Sequence, residues 1–218
     1  MAYELIELLS KGAEAEIWKG KWLDLEAVFK VRKSKPWRHP RLDKMILETR
    51  TVKEAKIMYD AFNAGIDVPY IFDIDLQRYT IVMEYVRGVT LKNVLNKKED
   101  KVYELCEELG KIAAKLHMRS IVHGDLTPAN VIIRENGKLC LIDFGLANFS
   151  NRIEDMGVDL HLFLRALESS FALIAEKCFD SFVRGYAIMD GYKAVLEKVK
   201  EIRRRGRYVL ERRLVAKL

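Results

Sequence analysis

Cysteine, proline and long apolar runs are what this chain has least of. Its 218 residues include three cysteines, Cys106, Cys140 and Cys178, far apart and without a C-x-x-C pair. Neither a disulfide framework nor a zinc knuckle is expected from them, and the ordinary reduced thiols of a cytoplasmic protein are. Four prolines and no low-complexity tract exclude a fibrous or disordered chain. No apolar run approaches the roughly 18–20 residues of a membrane span, and Met1-Ala2-Tyr3-Glu4 does not open like a signal peptide. What is present is core material: 50% of residues are hydrophobic and 32% charged, enough for one compact domain or two small lobes.

The net charge of +6 is concentrated in two places. Residues 193–218 carry ten Lys/Arg against three Asp/Glu, and in 30–44 Lys30, Arg32, Lys33, Lys35, Arg38, Arg41 and Lys44 face only Asp43. Basic patches on an otherwise acidic body suggest polyanion partners, phosphate or nucleic acid. The Arg203-Arg204-Arg205-Gly206-Arg207 run favours nucleic acid over a merely solvated helix, because arginine grips phosphate bidentately.

Periodicity divides the chain. Leu5–Leu9, Ala15–Trp18 and the alternating Leu23, Leu25, Ala27, Phe29 and Val31 read as strands. After a basic, proline-flanked loop at 33–42, a helix is expected over about 46–63, then strands at Ile71–Ile74 and Tyr79–Val86 around a turn at 75–78. Beyond residue 90 the spacing turns helical (Val102, Leu105, Leu109, Ile112, Leu116), interrupted by a hairpin of Val131–Ile133 and Leu139–Ile142 about Asn136-Gly137. Leu160 to Ile174 reads as one amphipathic helix and Leu196–Ile202 as another. The plan is α+β: a β-rich lobe at 1–86, a mainly α lobe at 87–218, and a cleft between them as the expected ligand site.

Chemistry concentrates in His123-Gly124-Asp125-Leu126-Thr127-Pro128-Ala129-Asn130 and in Ile142-Asp143-Phe144-Gly145. Asp125 can orient an attacking hydroxyl or water and accept its proton. Asn130 offers an amide oxygen to Mg²⁺, and Asp143, at a strand end, the hard carboxylate that holds the metal against nucleotide phosphates. This pair, H-x-D-x₄-N with D-F-G 18 residues after its aspartate, resembles the catalytic and metal-binding loops of the protein-kinase superfamily.

The resemblance implies further parts. Lys11 and Gly12, in Ser10–Glu16, stand where a phosphate-covering loop belongs, although only one glycine remains. Lys30 looks like the lysine on the α/β phosphates and Glu54 like its ion-pair partner. Met83, Glu84 and Val86 resemble the segment that takes adenine. Asp159 is expected to buttress the catalytic loop, with a helix N-cap as the plain alternative. Three departures set the chain apart: Gly124 replaces the arginine that reads activation-loop phosphate, Thr127 replaces a common lysine, and 73 residues after Gly145 leave no Ala-Pro-Glu segment. The implied fold is a minimal bilobal protein-kinase-like fold lacking the long activation segment and distal helices.

Lys30-Val-Arg-Lys-Ser-Lys-Pro-Trp-Arg-His-Pro-Arg-Leu-Asp43, Arg50-Thr-x-x-Glu-Ala55, His123-Gly-Asp-Leu-Thr127, Glu154-Asp-Met-Gly-Val-Asp-Leu160 and Arg205-Gly-Arg207 together resemble the small atypical kinase/ATPase subunit of the KEOPS (EKC) complex. That resemblance implies an ATP- and Mg²⁺-dependent serine/threonine kinase with autophosphorylation and ATPase activity. It also implies a switch role on a threonylcarbamoyl-transferase subunit in tRNA modification, for codons beginning with A, and a small regulatory subunit on the N-lobe. The basic tail (203–218) would lie near tRNA, or Arg207 would fold back onto nucleotide phosphate. The alternatives are a RIO-type kinase, a small-molecule kinase, and a pseudokinase scaffold that presents its tail to tRNA.

Overall fold

The structure, a computed structural model, describes residues 3–97 and 101–215, with side chains over 4–97 and 101–205. Two compact units make up the chain, Met1–Arg87 and Gly88–Leu218, against an expected boundary at residue 86.

In the first unit, β1 (Tyr3–Lys11), β2 (Ala15–Trp22), β3 (Leu25–Arg32), β4 (Ile71–Asp75) and β5 (Thr80–Glu84) form an antiparallel sheet in the order β1-β2-β3-β5-β4. The alternation in β3 decides its faces. Ala27 and Phe29 pack with Val82, Trp18, Trp22, Val31 and Phe72 on one side, where the Trp22 and Phe72 rings stack at 5.5 Å. Lys30 and Arg32, two apart on the strand, share the opposite face and are nevertheless buried.

The helix expected from 46 begins earlier: α1 runs Pro40–Asn63. Proline at its first position costs nothing, because that N–H has no intrahelical partner, and Asp43 complements the N-terminal dipole. Pro40, which read as loop, is therefore a helix start, while Pro36 stays in the preceding turn.

The second unit holds two small sheets. Strand β6 (Gly88–Thr90) pairs with β8 (Val131–Arg134), which pairs with β9 (Leu139–Leu141); β7 (Ile121–Val122) pairs with β10 (Asn148–Phe149). The Asn136-Gly137 turn closes β8–β9, with Gly137 at φ +81°. Around them lie α2 (Leu91–Lys97), α3 (Val102–Met118), α4 (Ile153–Ser170), α5 (Ala175–Tyr186) and α6 (Tyr192–Val215). The single helix expected through Ile174 is two, because α4 stops at Ser170. Ser169 there bonds its hydroxyl back to the Ala166 carbonyl at 3.2 Å, a local competitor of the helix ladder.

Helices α3 and α5 touch backbone to backbone. A Cβ on Gly110 would lie 2.0 Å from the Phe182 carbonyl oxygen, and one on Gly185 1.8 Å from that of Glu107. The basic tail begins on α6; its side chains from residue 206, Arg207 among them, and residues 216–218 lie outside the described residues.

Candidate active site

Within the first unit, the buried face of β3 meets α1 at one carboxylate. Lys30 Nζ donates to Glu54 Oε1 at 2.6 Å, and the Arg32 guanidinium bonds the other oxygen, Glu54 Oε2. Arg32 also donates to the Arg50 carbonyl at 3.4 Å, and its Nε is buried without a hydrogen-bond partner among the described residues. The expected pair is thus a triad. Arg32 was legible only as part of a basic cluster, although strand period 2 places it beside Lys30. Both cations therefore meet the same buried carboxylate, Lys30 on one oxygen and Arg32 on the other.

Glu54→Ala would take the shared carboxylate away from two buried cations. We expect a loss of about 3–5 kcal/mol in stability, measured by chemical denaturation of the full chain, and a smaller loss for Glu54→Gln, which keeps a hydrogen-bonding group of similar size.

The remaining first-unit candidates are placed as follows. Gly12 N–H donates to the Ala15 carbonyl at 2.9 Å and closes the β1–β2 turn, so this amide, expected among the phosphate donors, is engaged. Lys11 is exposed, 3.8 Å from Glu16. Met83 is buried at the end of β5, and Glu84 exchanges bonds with Tyr70 through its N–H and Oε2 at 2.8 and 3.3 Å. Val86, just past the strand end, is buried too.

Within the second unit, one hairpin assembles the polar loop. Asn130 precedes β8 and Ile142 follows β9, and the Ile142 N–H donates to the Asn130 carbonyl at 3.0 Å. The metal-binding candidates are therefore neighbours by register. The Asn130 amide donates to the Asp125 carbonyl and to Asp125 Oδ2, at 2.9 and 2.8 Å. Its NH₂ is fully oriented by Asp125, which leaves Oδ1 as the acceptor end. Asp143 is exposed at φ +62°, with Oδ1 accepting the Gly145 N–H at 3.2 Å, an Asx turn that suits aspartate in left-handed backbone. An amide oxygen and a carboxylate are hard donors of the kind Mg²⁺ takes. Among the described residues no cluster of three His, Cys, Asp or Glu could hold a metal alone, so a cation here would complete its shell with phosphate and water.

His123 fixes the loop from behind. Its Nε2 meets the Ile142 carbonyl at 3.2 Å and its Nδ1 accepts the Asp125 N–H at 3.3 Å, which assigns the neutral Nε2–H tautomer. Burial holds the imidazole below its usual pKa, against the pull of Asp159 and the Ile142 carbonyl. Gly124 stands at φ +77°, where a Cβ would meet the Leu146 carbonyl oxygen at 2.4 Å. A side chain there would clash with backbone, so packing accounts for glycine at the position where the resemblance expects arginine.

Asp159 lies well inside α4, not at its N-cap. Its Oδ2 accepts the His123 N–H at 2.6 Å and its Oδ1 the Gly124 N–H at 2.7 Å. Behind it, His117 Nε2 lies 3.2 Å from Oδ2, and His117 Nδ1 2.7 Å from the Tyr186 hydroxyl. Burial, with the Asp159 charge adding, pushes the Tyr186 phenol well above its usual pKa. His117 and Tyr186 escaped the sequence reading, because they sit in ordinary helical patterns on α3 and α5 with no motif to join them.

The protein kinase domain family matches residues 3–161. The chain is 41% identical to the KEOPS complex subunit Bud32 of Pyrococcus abyssi over 214 residues, 93% of this chain and 96% of that one. The chain belongs to the Bud32 branch of the protein kinase family. It is likewise 41% identical, over 91% of its length and 94% of the relative's, to a probable serine/threonine-protein kinase BUD32 homolog of Archaeoglobus fulgidus. A probable bifunctional tRNA threonylcarbamoyladenosine biosynthesis protein of Methanothermobacter thermautotrophicus is 41% identical over 93% of the chain, which spans only 36% of that relative. Among the described residues no helix is long and apolar enough to cross a membrane.

Proposed function

We propose that this chain is an ATP- and Mg²⁺-dependent serine/threonine kinase that also hydrolyses ATP. We further propose that it works in the cytoplasm as the switch subunit of a KEOPS complex during tRNA threonylcarbamoyladenosine formation. The observation that carries the chemistry is the Asp125–Asn130 clamp set by register beside Asp143. The names of the Bud32 relatives support the setting.

In this reading Lys30, steadied by Glu54, contacts the α/β phosphates, with Lys11 and the turn at Gly12 over the triphosphate. Met83, Glu84 and Val86 take the adenine. Asn130 Oδ1 and the Asp143 carboxylate hold Mg²⁺, which when bound neutralises charge on the phosphates. Asp125 orients the hydroxyl of a serine, a threonine or a water and accepts its proton as that oxygen bonds the γ-phosphorus and the β–γ bridge breaks. With no hydroxyl placed, water takes the same position and the outcome is hydrolysis. Such catalysis is positioning and electrostatics, so one set of groups serves both outcomes. The partners are the threonylcarbamoyl-transferase subunit, a small regulatory subunit on the N-lobe, and tRNA at the basic tail.

The test is consumption of γ-labelled ATP by the full chain, with Mg²⁺ or EDTA, with and without the transferase subunit and tRNA. Mg²⁺-dependent phosphate release and label on the chain are expected. No turnover in any combination would overturn the enzymatic reading.

A further inference from the structure

The basic loop before α1 is not used by the chemistry above. It is tightly built. Asp43, buried in the first turn of α1, accepts from the Lys35 N–H at 3.4 Å and from the Arg38 guanidinium at 3.1 Å. Its hydrogen bond with Ser34, ahead of that with Arg38, holds the carboxylate below its usual pKa. The Arg38 N–H closes a turn on the Lys35 carbonyl at 3.0 Å. This ordered turn carries Trp37, which is 75% exposed.

One face of the indole is set by Lys35, whose Nζ lies 5.4 Å from the ring centroid and bonds the Ala13 carbonyl. Charge along the segment 33–44 that carries the ring is positive and only partly balanced. Lys33 pairs with Glu16 at 2.6 Å and Arg38 with Asp43. Lys44 stands 3.7 Å from Glu48 with most of its side chain in water. Neither Lys35 nor Arg41 has a carboxylate partner among the described residues. The start of the tail differs: Arg203 pairs with Glu168 at 2.5 Å, and Arg205 with Glu154 and Glu201 at 2.8 and 3.4 Å.

We propose that Trp37, with Lys35 and Arg41, is a stacking platform for an unpaired nucleotide of an RNA, Trp37 taking the base and the two cations the adjoining phosphates. An ordered, water-exposed indole contributes little to folding but is the part that a base needs. Aromatic stacking beside unpaired cations is how single strands are held without sequence readout. An acidic protein would also satisfy the cations and could cover the ring, and it is the competing outcome in the experiment below. The inference rests on the tRNA side of the function proposed above and gives it a place distinct from the tail.

The experiment measures salt-dependent binding of the full chain to an unmodified tRNA transcript, a single-stranded RNA decamer and a blunt RNA hairpin, alongside indole fluorescence. Trp18 and Trp22 are half-buried, so quenching by the decamer reports Trp37. Trp37→Ala is expected to weaken decamer and transcript binding about 5- to 150-fold and to abolish the quench, with melting temperature and ATP turnover unchanged. Trp37→Phe should retain most of the affinity, and Arg41→Ala should lower the salt slope by about 0.7. Binding and quench unaffected by Trp37→Ala would remove the platform while leaving tRNA association intact. A parent chain that binds no RNA would fail the tRNA reading itself. If Trp37→Ala instead lost a purified KEOPS subunit with RNA affinity unchanged, the surface would be a protein interface and the proposal overturned.

Discussion

Asp143→Asn is expected to lower Mg²⁺-dependent ATP turnover by at least about 10²–10³-fold while leaving the fold intact. The magnitude is that of losing one preorganised electrostatic group aimed at developing charge, and losing a cation ligand acts in the same direction. Asparagine is the informative replacement. Asp143 sits at φ +62° with Oδ1 accepting the Gly145 N–H, and asparagine keeps both the acceptor and the tolerance for left-handed backbone. Alanine would forfeit both, mixing strain of about 1–2 kcal/mol with lost chemistry. Steady-state hydrolysis over a Mg²⁺ titration, beside a urea melt, separates the effects. Turnover at the parental level throughout the Mg²⁺ titration, or a loss that leaves the Mg²⁺ half-saturation unchanged, would remove Asp143 as a metal ligand.

Legibility in the sequence followed the range of the interactions. The alternation of residues 23–31 shows β3 because a strand's faces are set two residues at a time. The polar loop is legible for the same reason: Asp125, Asn130 and Asp143 are joined by one hairpin whose Asn-Gly turn is local. Where a feature depends on distant chain, the pattern is silent. Arg32 looked like one more surface cation until Glu54, 22 residues on, was placed against it. Pro40 read as loop because its cost inside a helix vanishes only at the first turn. The α4–α5 break lay inside an apolar spacing that runs on past Ser170. His117 is 42 residues from Asp159 and 69 from Tyr186, and no short-range period joins such positions. Charge was the least legible property, since composition cannot say which arginines find a carboxylate: Arg203 and Arg205 do.

That long-range network carries the second large effect. Asp159→Ala is expected to destabilise the chain by about 3–5 kcal/mol and to cut turnover by about 10²-fold even where the protein remains folded. Alanine orphans the His123 and Gly124 amides and one nitrogen of His117, and a buried donor without a partner costs about 1–3 kcal/mol. Asp159 and His117 are almost wholly buried, so water reaches these donors poorly. The turnover loss has a separate cause. The two amides flank the turn into Asp125, and Gly124 has no lateral room against Leu146. Release of the amides therefore displaces the carboxylate that must meet the attacking hydroxyl, and misplacement by about 1 Å costs about 10²-fold. Asp159→Asn separates the two contributions: it keeps one acceptor oxygen and the volume but sets an NH₂ against either the Gly124 amide or the His123 amide and His117. Its stability loss should be smaller, and its kcat should fall with the KM for ATP little changed, because only the reacting groups shift. A Tyr186→Phe variant, which removes only the hydroxyl behind His117, should lose about 1 kcal/mol and keep most of its turnover. If Asp159→Asn matched the parent in kcat, the carboxylate would be a packing element of α4 and the loop would hold its shape without it.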